Sequence, residues 1–221
     1  MISTVSALFV MADGPYPRLV EDCWTQERDA RLYAGPNPGV YHPPCARWTR
    51  FWWTARHKGK GLGDDDGCFA SAIENVRRWG GILEHPEASH AWPRFGILRP
   101  TPGAWTRSLF RPDEWVTVID QLAYGHRARK RTWLVAVGAQ SLPMLRWDYT
   151  GSQQAYLLTP RLGRRTYVAS GPGVSRSAEL RKLHGIELMG RRERSLTPTP
   201  FAELLVSIAD SCNRKEAACS A

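Results

Sequence analysis

The fold is decided by residues 67–86, GCFASAIENVRRWGGILEHP, which predict a helix followed directly by a buried strand. Apolar side chains recur along the helical part at spacings of three and four residues, at Phe69, Ala72, Ile73 and Val76. This spacing gives the helix one apolar face, which a sheet or another helix must cover. Two glycines after Trp79 end the helix, and the apolar pair Ile82-Leu83 starts a short strand that ends at Glu84.

Other predicted strands precede this unit. The apolar run from Ala7 to Met11 reads as the first buried strand, and Gly39-Val40-Tyr41 reads as another, while the polar stretch at 21–31 reads as partly helical. Helices between buried strands are typical of a largely parallel sheet with right-handed crossovers. We therefore expect an α/β fold in which Cys45 and Glu84 lie at the carboxyl ends of strands, where open α/β sheets form their ligand crevice.

Two more strands are predicted downstream, at residues 115–119 (WVTVI) and 132–138 (TWLVAVG). The basic loop at 124–131 (YGHRARKR) leads directly into the second of them. A charge run is usually a solvated surface. Because this one adjoins a core strand, and because arginine forks fit phosphate groups and base edges, we favour a functional surface.

The composition favours a polyanionic partner. The 221 residues carry a formal net charge of +9 and include ten tryptophans, which describes a basic and aromatic surface suited to nucleic acid. A merely basic protein is the alternative interpretation. The segment at 47–60 is itself basic and rich in tryptophan, so it either binds phosphates and stacks on bases or packs its tryptophans inward.

The cysteine pattern and the hydropathy of the sequence indicate the environment in which the protein works. Five cysteines without paired spacing indicate neither a disulfide framework nor a zinc site, so we expect no metal and a reducing, cytoplasmic setting. The apolar run at residues 5–11 is too short to span a bilayer and lacks the flanks of a signal peptide, so no membrane association is expected. The length suits one main domain with one substantial core.

A single cysteine stands where a strand ends in a stiff turn. Gly39-Val40-Tyr41 leads into His42-Pro43-Pro44-Cys45, with Arg47 and Arg50 following. A thiol is a weak nucleophile until its pKa is lowered or a base assists it, and a rigid turn with basic neighbours offers such an environment. An ordinary buried cysteine beside a proline-rich turn is the alternative.

The order and spacing of these segments resemble those of the DNA (cytosine-5) methyltransferases. Pro43-Pro44-Cys45 is similar to the Pro-Cys nucleophile loop of that family, and residues 61–79 resemble the Asp-containing loop and helix that follow it. Residues 82–86 resemble the strand that ends in the family's Glu-Asn-Val, with His85 in place of the Asn. The literal Glu74-Asn75-Val76 falls inside the predicted helix instead.

The resemblance continues through the second half of the chain. Tyr124-Gly125 followed by Arg127, Arg129 and Arg131 is similar to the family's Tyr-Gly and Gln-x-Arg-x-Arg segments. Residues 196–205 resemble the segment that leads into the family's last helix, which packs against the first strand. The matching segments cover most of residues 7–138 and again 190–210.

This resemblance implies a Rossmann-like methyltransferase sheet, an α/β fold abbreviated at its N-terminal cofactor half, with a small C-terminal recognition lobe. It implies a catalytic core at residues 1–138, a basic recognition region at 139–188, a helix at 189–210 that returns to the core, and a disordered tail at 211–221. A compact, phage-type member of the family would have this size.

The resemblance also implies a chemistry. In such an enzyme Cys45 adds to carbon 6 of a cytosine flipped out of the duplex, and Glu84 holds the base. Through the ring nitrogen and the exocyclic amine, Glu84 stabilises the charge that develops on addition, while Arg127 or Arg129 binds the carbonyl side of the ring. A methyl group then passes from S-adenosylmethionine to carbon 5, a proton leaves carbon 5, and the cysteine is released.

The implied contacts fall into two groups of residues. Those for S-adenosylmethionine are Asp13, Gly14, Asp29 and Pro43. Those for double-stranded DNA are Arg47, Arg50, Trp52, Lys58, Arg131, Arg164 and Arg165. The family's Phe-x-Gly-x-Gly cofactor loop is replaced here by residues 11–16, MADGPY, and no second strand is evident between positions 14 and 29. A pyrimidine-modifying enzyme with another donor, and a non-catalytic DNA-binding relative, therefore remain alternatives.

Overall fold

The computed structural model describes residues 3–49, 52–53, 59–126, 130–146 and 191–212. Seven strands are present: β1 (Ser3–Leu8), β2 (Val20–Trp24), β3 (Gly39–Tyr41), β4 (Gly81–Pro86), β5 (Thr106–Arg107), β6 (Glu114–Asp120) and β7 (Arg131–Val137). Four α-helical segments accompany them: α1 (Cys68–Trp79), α2 (Ala91–Arg94), α3 (Arg191–Ser195) and α4 (Thr199–Asp210). Part of the expected recognition region, at 147–188, and the expected tail from 213 onward lie outside these residues.

All seven strands join one mixed sheet in the order β2-β1-β3-β4-β7-β6-β5. β2, β1, β3 and β4 are mutually parallel, whereas β7 is antiparallel to both β4 and β6, and β5 is antiparallel to β6. The α/β expectation is confirmed, but the sheet is parallel only over its first four strands. The carboxyl ends of β1, β2, β3, β4 and β6 therefore share one edge of the sheet.

The presence of β2 shows that two expectations were wrong. The stretch at 21–31 begins as a strand and not as a helix, and a second strand exists between positions 14 and 29. β2 is an edge strand that pairs only with β1, and Val20 is its one buried residue. An edge strand tolerates charged side chains such as Glu21 and Asp22, so it leaves no apolar run in the sequence. A short 3₁₀ turn at Ala30–Leu32 is the helical part of this stretch.

β1 begins and ends earlier than the apolar run from Ala7 to Met11 suggests. It covers Ser3–Leu8, and Phe9 directly after it has a φ of 60°. A side chain other than glycine rarely adopts this left-handed conformation, which interrupts an extended strand. The chain therefore turns away from the sheet at Phe9, and the residues after it are free to form the rim of a crevice.

Helix α1 forms as the spacing of its apolar residues predicts. Asp65 fixes its start, because its carboxylate accepts hydrogen bonds from the backbone N–H groups of Gly67 (3.2 Å) and Phe69 (2.9 Å). Gly80, with a φ of 85°, ends it. The literal Glu74-Asn75-Val76 lies within this helix, as expected.

The sheet is covered on both faces, which divides the core into two clusters. Ile82 and Leu83 are neighbours on β4 but belong to different clusters, because successive side chains of a strand point to opposite faces. α1 covers one face, and α4 packs against β1, β3 and β4 on the other. Phe201 of α4 is fully buried there, which stabilises the fold by about 1.5–3 kcal/mol. α4 contacts the first strand, as the resemblance implies, but the single helix expected at 189–210 is divided into α3 and α4.

Over the described ranges, no helix combines the length and the apolar character that crossing a lipid bilayer requires.

Candidate active site

A cavity lies where the topology of the sheet predicts a binding crevice. The chain passes from β1 to β2 on one side and then returns to place β3 on the other side of β1, so the carboxyl ends of β1 and β3 flank a switch point. A cavity of about 290 Å³ opens at this edge. Its lining includes Tyr16, His42, Cys45, Glu84 and Lys130.

Glu84, at the carboxyl half of β4, is 7% exposed and receives hydrogen bonds on both oxygens. Its Oε1 accepts from the Gln121 amide (3.1 Å) and from the Thr132 hydroxyl, and its Oε2 accepts from His42 Nδ1 (2.9 Å). Burial opposes ionisation of this carboxyl. The hydrogen bond and charge of His42, the charge of Lys130 and the Thr132 hydrogen bond outweigh burial and lower the pKa of Glu84 to about 2. Glu84 is therefore a carboxylate at neutral pH and only accepts hydrogen bonds.

His42 connects this carboxylate to a tyrosine. Its Nε2 lies 2.6 Å from the Tyr16 hydroxyl, and the two ring centroids are 5.2 Å apart. Tyr16 starts a 3₁₀ turn in the loop after β1 and is buried. Burial, and next the negative charge of Glu84, raise the pKa of Tyr16 well above its usual value, so its hydroxyl keeps its proton. Tyr16, His42 and Glu84 therefore form one continuous hydrogen-bonded chain.

The Pro-Pro turn holds Cys45 through backbone hydrogen bonds on both sides. The His42 N–H donates to the Leu8 carbonyl (3.0 Å), which ties the start of the turn to the end of β1. The Cys45 carbonyl accepts from the N–H of Trp48 (3.0 Å), and the Trp48 indole donates to Asp65 (2.7 Å). The turn is thus anchored to the start of α1, and Cys45 stays partly exposed at the cavity.

The Cys45 thiol is not activated by its surroundings alone. Burial, and next the charge of Glu84, raise the pKa of this thiol, and Lys130 opposes them only in part. His42 and Arg47 therefore do not lower the pKa of Cys45 as the sequence suggested, and Arg50 lies outside the described residues. The thiol is protonated at neutral pH, and any nucleophilic attack needs a base to take its proton.

Lys130 is the cation that the described residues bring to the cavity. Its backbone N–H donates to the buried Asp120 carboxylate (2.9 Å), which fixes the chain just before β7. Sequence reasoning assigned this role to Arg127 or Arg129, and both lie outside the described residues. Arg131, one position after Lys130, points instead to Glu87 and forms an ion pair with it (2.9 Å).

His85 does not hold Glu84 in the way that the family's Asn would. Its ring packs against Phe69 (4.9 Å between centroids) and Trp92 (5.7 Å) in the core beneath the site. Burial lowers the pKa of His85 to about 4, so the imidazole is neutral at neutral pH. Gln121 and Thr132 orient Glu84 instead.

A second cavity, of about 580 Å³, adjoins the first. The two share Phe9, Val10, Met11 and Pro44 in their linings, and the second extends past the end of β2 to Asp29. Its volume lies within the range of cofactor sites. This part of the molecule is where the resemblance places S-adenosylmethionine.

The four residues expected to bind the cofactor lie in different places. Gly14 and Pro43 line the first cavity, and Asp29 lines the second. Asp29 accepts hydrogen bonds from the Arg31 guanidinium on both carboxylate oxygens. Asp13 forms an ion pair with Arg192 of α3 at the surface.

The residues expected to contact DNA also lie in different environments. Arg47 is buried, 9% exposed, which does not fit the expected contact of its guanidinium with phosphates. Trp52 is half-buried, and Arg131 is paired with Glu87. Trp48 packs inward, as the alternative interpretation of this segment holds, whereas Trp53 is 66% exposed. The remaining DNA-contact residues lie outside the described ranges: Arg50, Lys58, Arg164 and Arg165.

Sequence reasoning missed Tyr16, Gln121, Thr132 and Lys130 as parts of the site, and it named His42 only as a basic neighbour of Cys45. All of them lie within or just beyond strands and turns at the edge of the sheet where the first cavity opens. Polar residues next to strand ends were therefore the signal by which the sequence could have identified them. Among the described residues, no cluster of His, Cys, Asp and Glu side chains could hold a metal ion.

Comparisons of the chain with protein-family models, with curated proteins and with solved structures found no match.

Proposed function

We propose that this protein is a DNA-modifying enzyme that methylates cytosine at carbon 5 through a covalent Cys45 adduct. One observation carries the proposal. Cys45, which follows β3, and Glu84, which lies on β4, are 39 positions apart in the sequence and line one cavity at the switch point of the sheet. A thiol and a buried carboxylate facing one small cavity are the two groups that addition to a pyrimidine needs.

The topology supports the finer description of the fold. Four parallel strands with helices on both faces, and a binding crevice beside β1, are features of a Rossmann-like sheet. Because β2 is present, the N-terminal half of the sheet is less abbreviated than the sequence suggests. A methyltransferase sheet of this kind places the reacting base and the methyl donor in adjoining parts of one edge.

The residues of the cavity divide the work of the addition. The partly exposed Cys45 thiol gives its proton to solvent water, and carbon 6 of a pyrimidine accepts the thiolate only if the negative charge that moves onto the ring is stabilised. Glu84 Oε2, which receives one hydrogen bond from His42, has a lone pair left to accept from the exocyclic amine of cytosine. The Lys130 ammonium stabilises charge on the carbonyl side of the ring. A base in a duplex must be extruded to reach this cavity.

The second cavity fits the cofactor that the resemblance implies. When bound, S-adenosylmethionine would supply an electrophilic methyl group. Phe9, Val10 and Met11 would contact its apolar parts, and Asp29 would bind its hydroxyl groups. Asp29 must first give up its ion pair with Arg31, which is exposed and therefore screened by solvent. The shared wall at Pro44 would bring the two ligands side by side.

A second candidate is a pyrimidine-modifying enzyme that keeps the Cys45 addition and uses another donor. It is favoured by the loop after β1, where Pro15 and Tyr16 stand in place of a glycine-rich cofactor loop and Tyr16 is bonded to His42. The net charge of +9 supports DNA as the partner in either case. A DNA-binding relative without activity would have no use for the buried ionised carboxylate beside Cys45.

The test is transfer of a labelled methyl group from S-adenosylmethionine to duplex DNA, together with calorimetric titration of the cofactor. We expect transfer by the native protein and a loss of about 10⁴-fold in Cys45→Ser, because the serine hydroxyl is a far weaker nucleophile. Cys23→Ser is the matched control, since Cys23 is a free, partly exposed cysteine on β2. If the cofactor does not bind while 5-fluorocytosine DNA still captures Cys45, the second candidate replaces the first.

A further inference from the structure

The Tyr16, His42 and Glu84 chain has the connectivity of a catalytic triad. Glu84 Oε2 is an acceptor only, so His42 Nδ1 carries the proton of the 2.9 Å hydrogen bond between them. The relay starts from the neutral ring, whose Nε2 has no proton and accepts from the Tyr16 hydroxyl at 2.6 Å; the His42 charge that lowers the pKa of Glu84 belongs to the imidazolium that the relay forms. A hydroxyl, an imidazole and a buried carboxylate in this order form the arrangement that moves a proton away from a hydroxyl oxygen.

All three members of the chain line the cavity that holds Cys45. The carboxylate is held by Gln121 and Thr132, so the imidazole has one fixed orientation and one fixed tautomer. Tyr16 starts a turn that closes on itself, because the Leu19 N–H donates to the Tyr16 carbonyl (2.9 Å). The position of its hydroxyl is thus set before a substrate enters.

We propose that this chain is the proton acceptor for carbon 5 of the pyrimidine, with Tyr16 as the catalytic base and His42 and Glu84 as positioning residues behind it. This inference rests on the proposed function, since it needs the adduct between Cys45 and carbon 6. It applies to either candidate donor, because every substitution at carbon 5 through that adduct must remove the carbon 5 proton.

The step balances as follows in atoms and charge. The proton on carbon 5 passes to Tyr16 Oη while the hydroxyl proton of Tyr16 passes to His42 Nε2. The electron pair of the C–H bond becomes the double bond between carbons 5 and 6, and the pair of the C–S bond leaves with Cys45 as a thiolate. Glu84 stabilises the resulting imidazolium, whose proton then returns through Tyr16 to the thiolate. No phenolate forms at any point, which suits a tyrosine whose pKa is raised.

Two measurements on the same protein separate this step from the addition. Release of tritium from DNA that contains [5-³H]cytosine reports loss of the carbon 5 proton in the presence of S-adenosylmethionine. Capture of 5-fluorocytosine DNA on a denaturing gel, in the presence of S-adenosylmethionine, reports the addition of Cys45 and the substitution at carbon 5, because fluorine replaces the proton and the substituted adduct cannot collapse. In Tyr16→Phe we expect capture to persist and tritium release to fall by about 100-fold or more.

Two further variants keep the test decisive. His42→Gln retains a polar side chain but no basic nitrogen, so it should also lose release and keep capture. Tyr33→Phe is the matched control, since it removes a buried tyrosine hydroxyl that donates to the Asn37 carbonyl (2.6 Å) away from the cavity, and it should change neither measurement.

Each outcome decides one claim. Tritium release at the native rate in Tyr16→Phe would overturn the proton relay while the proposed function stands. Loss of capture in a Tyr16→Phe protein with a native melting curve would overturn it as well, because the tyrosine would then act before the adduct. Neither capture nor release by the native protein would instead reject the proposed function.

Discussion

Glutamine in place of Glu84 should destabilise the protein in a way that depends on pH. The pKa of this carboxyl falls from an ordinary 4.5 to about 2 in the folded chain, because His42, Lys130 and Thr132 outweigh burial. At about 1.4 kcal/mol for each tenfold step in proton affinity, the difference corresponds to about 3 kcal/mol of stability. Since the folded pKa is the lower one, this stability is complete above about pH 4.5 and disappears as the pH falls towards 2.

The assay is urea unfolding of the native protein and Glu84→Gln at several pH values between 7 and 2.5. We expect the native protein to be about 3 kcal/mol more stable at pH 7, and the difference to shrink steadily below pH 4.5. Glu203→Gln is the control, because Glu203 is an exposed residue of α4 and its replacement should matter by less than about 0.5 kcal/mol at any pH. A difference between native and Glu84→Gln proteins that stays constant from pH 7 to pH 2.5 would refute the assignment of Glu84 as a stabilised carboxylate.

Two packing predictions can be checked by the same unfolding measurements. Gly81→Ala should prevent folding, because a Cβ there would lie 2.0 Å from the Gly39 carbonyl oxygen of the neighbouring strand, whereas Gly96→Ala, also at positive φ but with open space around it, should cost about 1 kcal/mol. A soluble, cooperatively unfolding Gly81→Ala protein would contradict the close approach of β3 and β4. Phe201→Ala should lose about 3–5 kcal/mol through the cavity it leaves beneath the sheet, against a change near zero for the exposed Leu109→Ala, and equal effects of the two would show that α4 is not packed as described.

The elements whose apolar residues show a clear pattern were predictable from the sequence, and the edge strand β2 was not. α1, β3, β4, β6 and β7 are buried on at least one face, so their apolar residues recur at helical spacing or form short runs. β2 pairs on one side only and buries little, so hydrogen bonds to β1 rather than apolar side chains define it. Its charged residues resemble a surface helix or a loop.

The site was predictable in its two chemical groups and not in their connections. Cys45 and Glu84 stand at strand ends, which is a property of the local sequence. The partners of Glu84 come from far along the chain, with Thr132 48 residues away and His42 42 residues away. The orientation of the His42 ring, and its hydrogen bond with Tyr16, depend on how β1, β3 and β4 pair.

The hydrogen-bond donors around Glu84 also couple the effects of substitutions at this site. His42, Gln121 and Thr132 all donate to one carboxylate, so replacing any of these three removes a hydrogen bond to it, and an amide in place of Glu84 sets a donor against a donor. Each such state costs about 1–3 kcal/mol, and the costs of two replacements in one network do not simply add. The effect of a substitution at one of these four positions therefore depends on which residues occupy the other three.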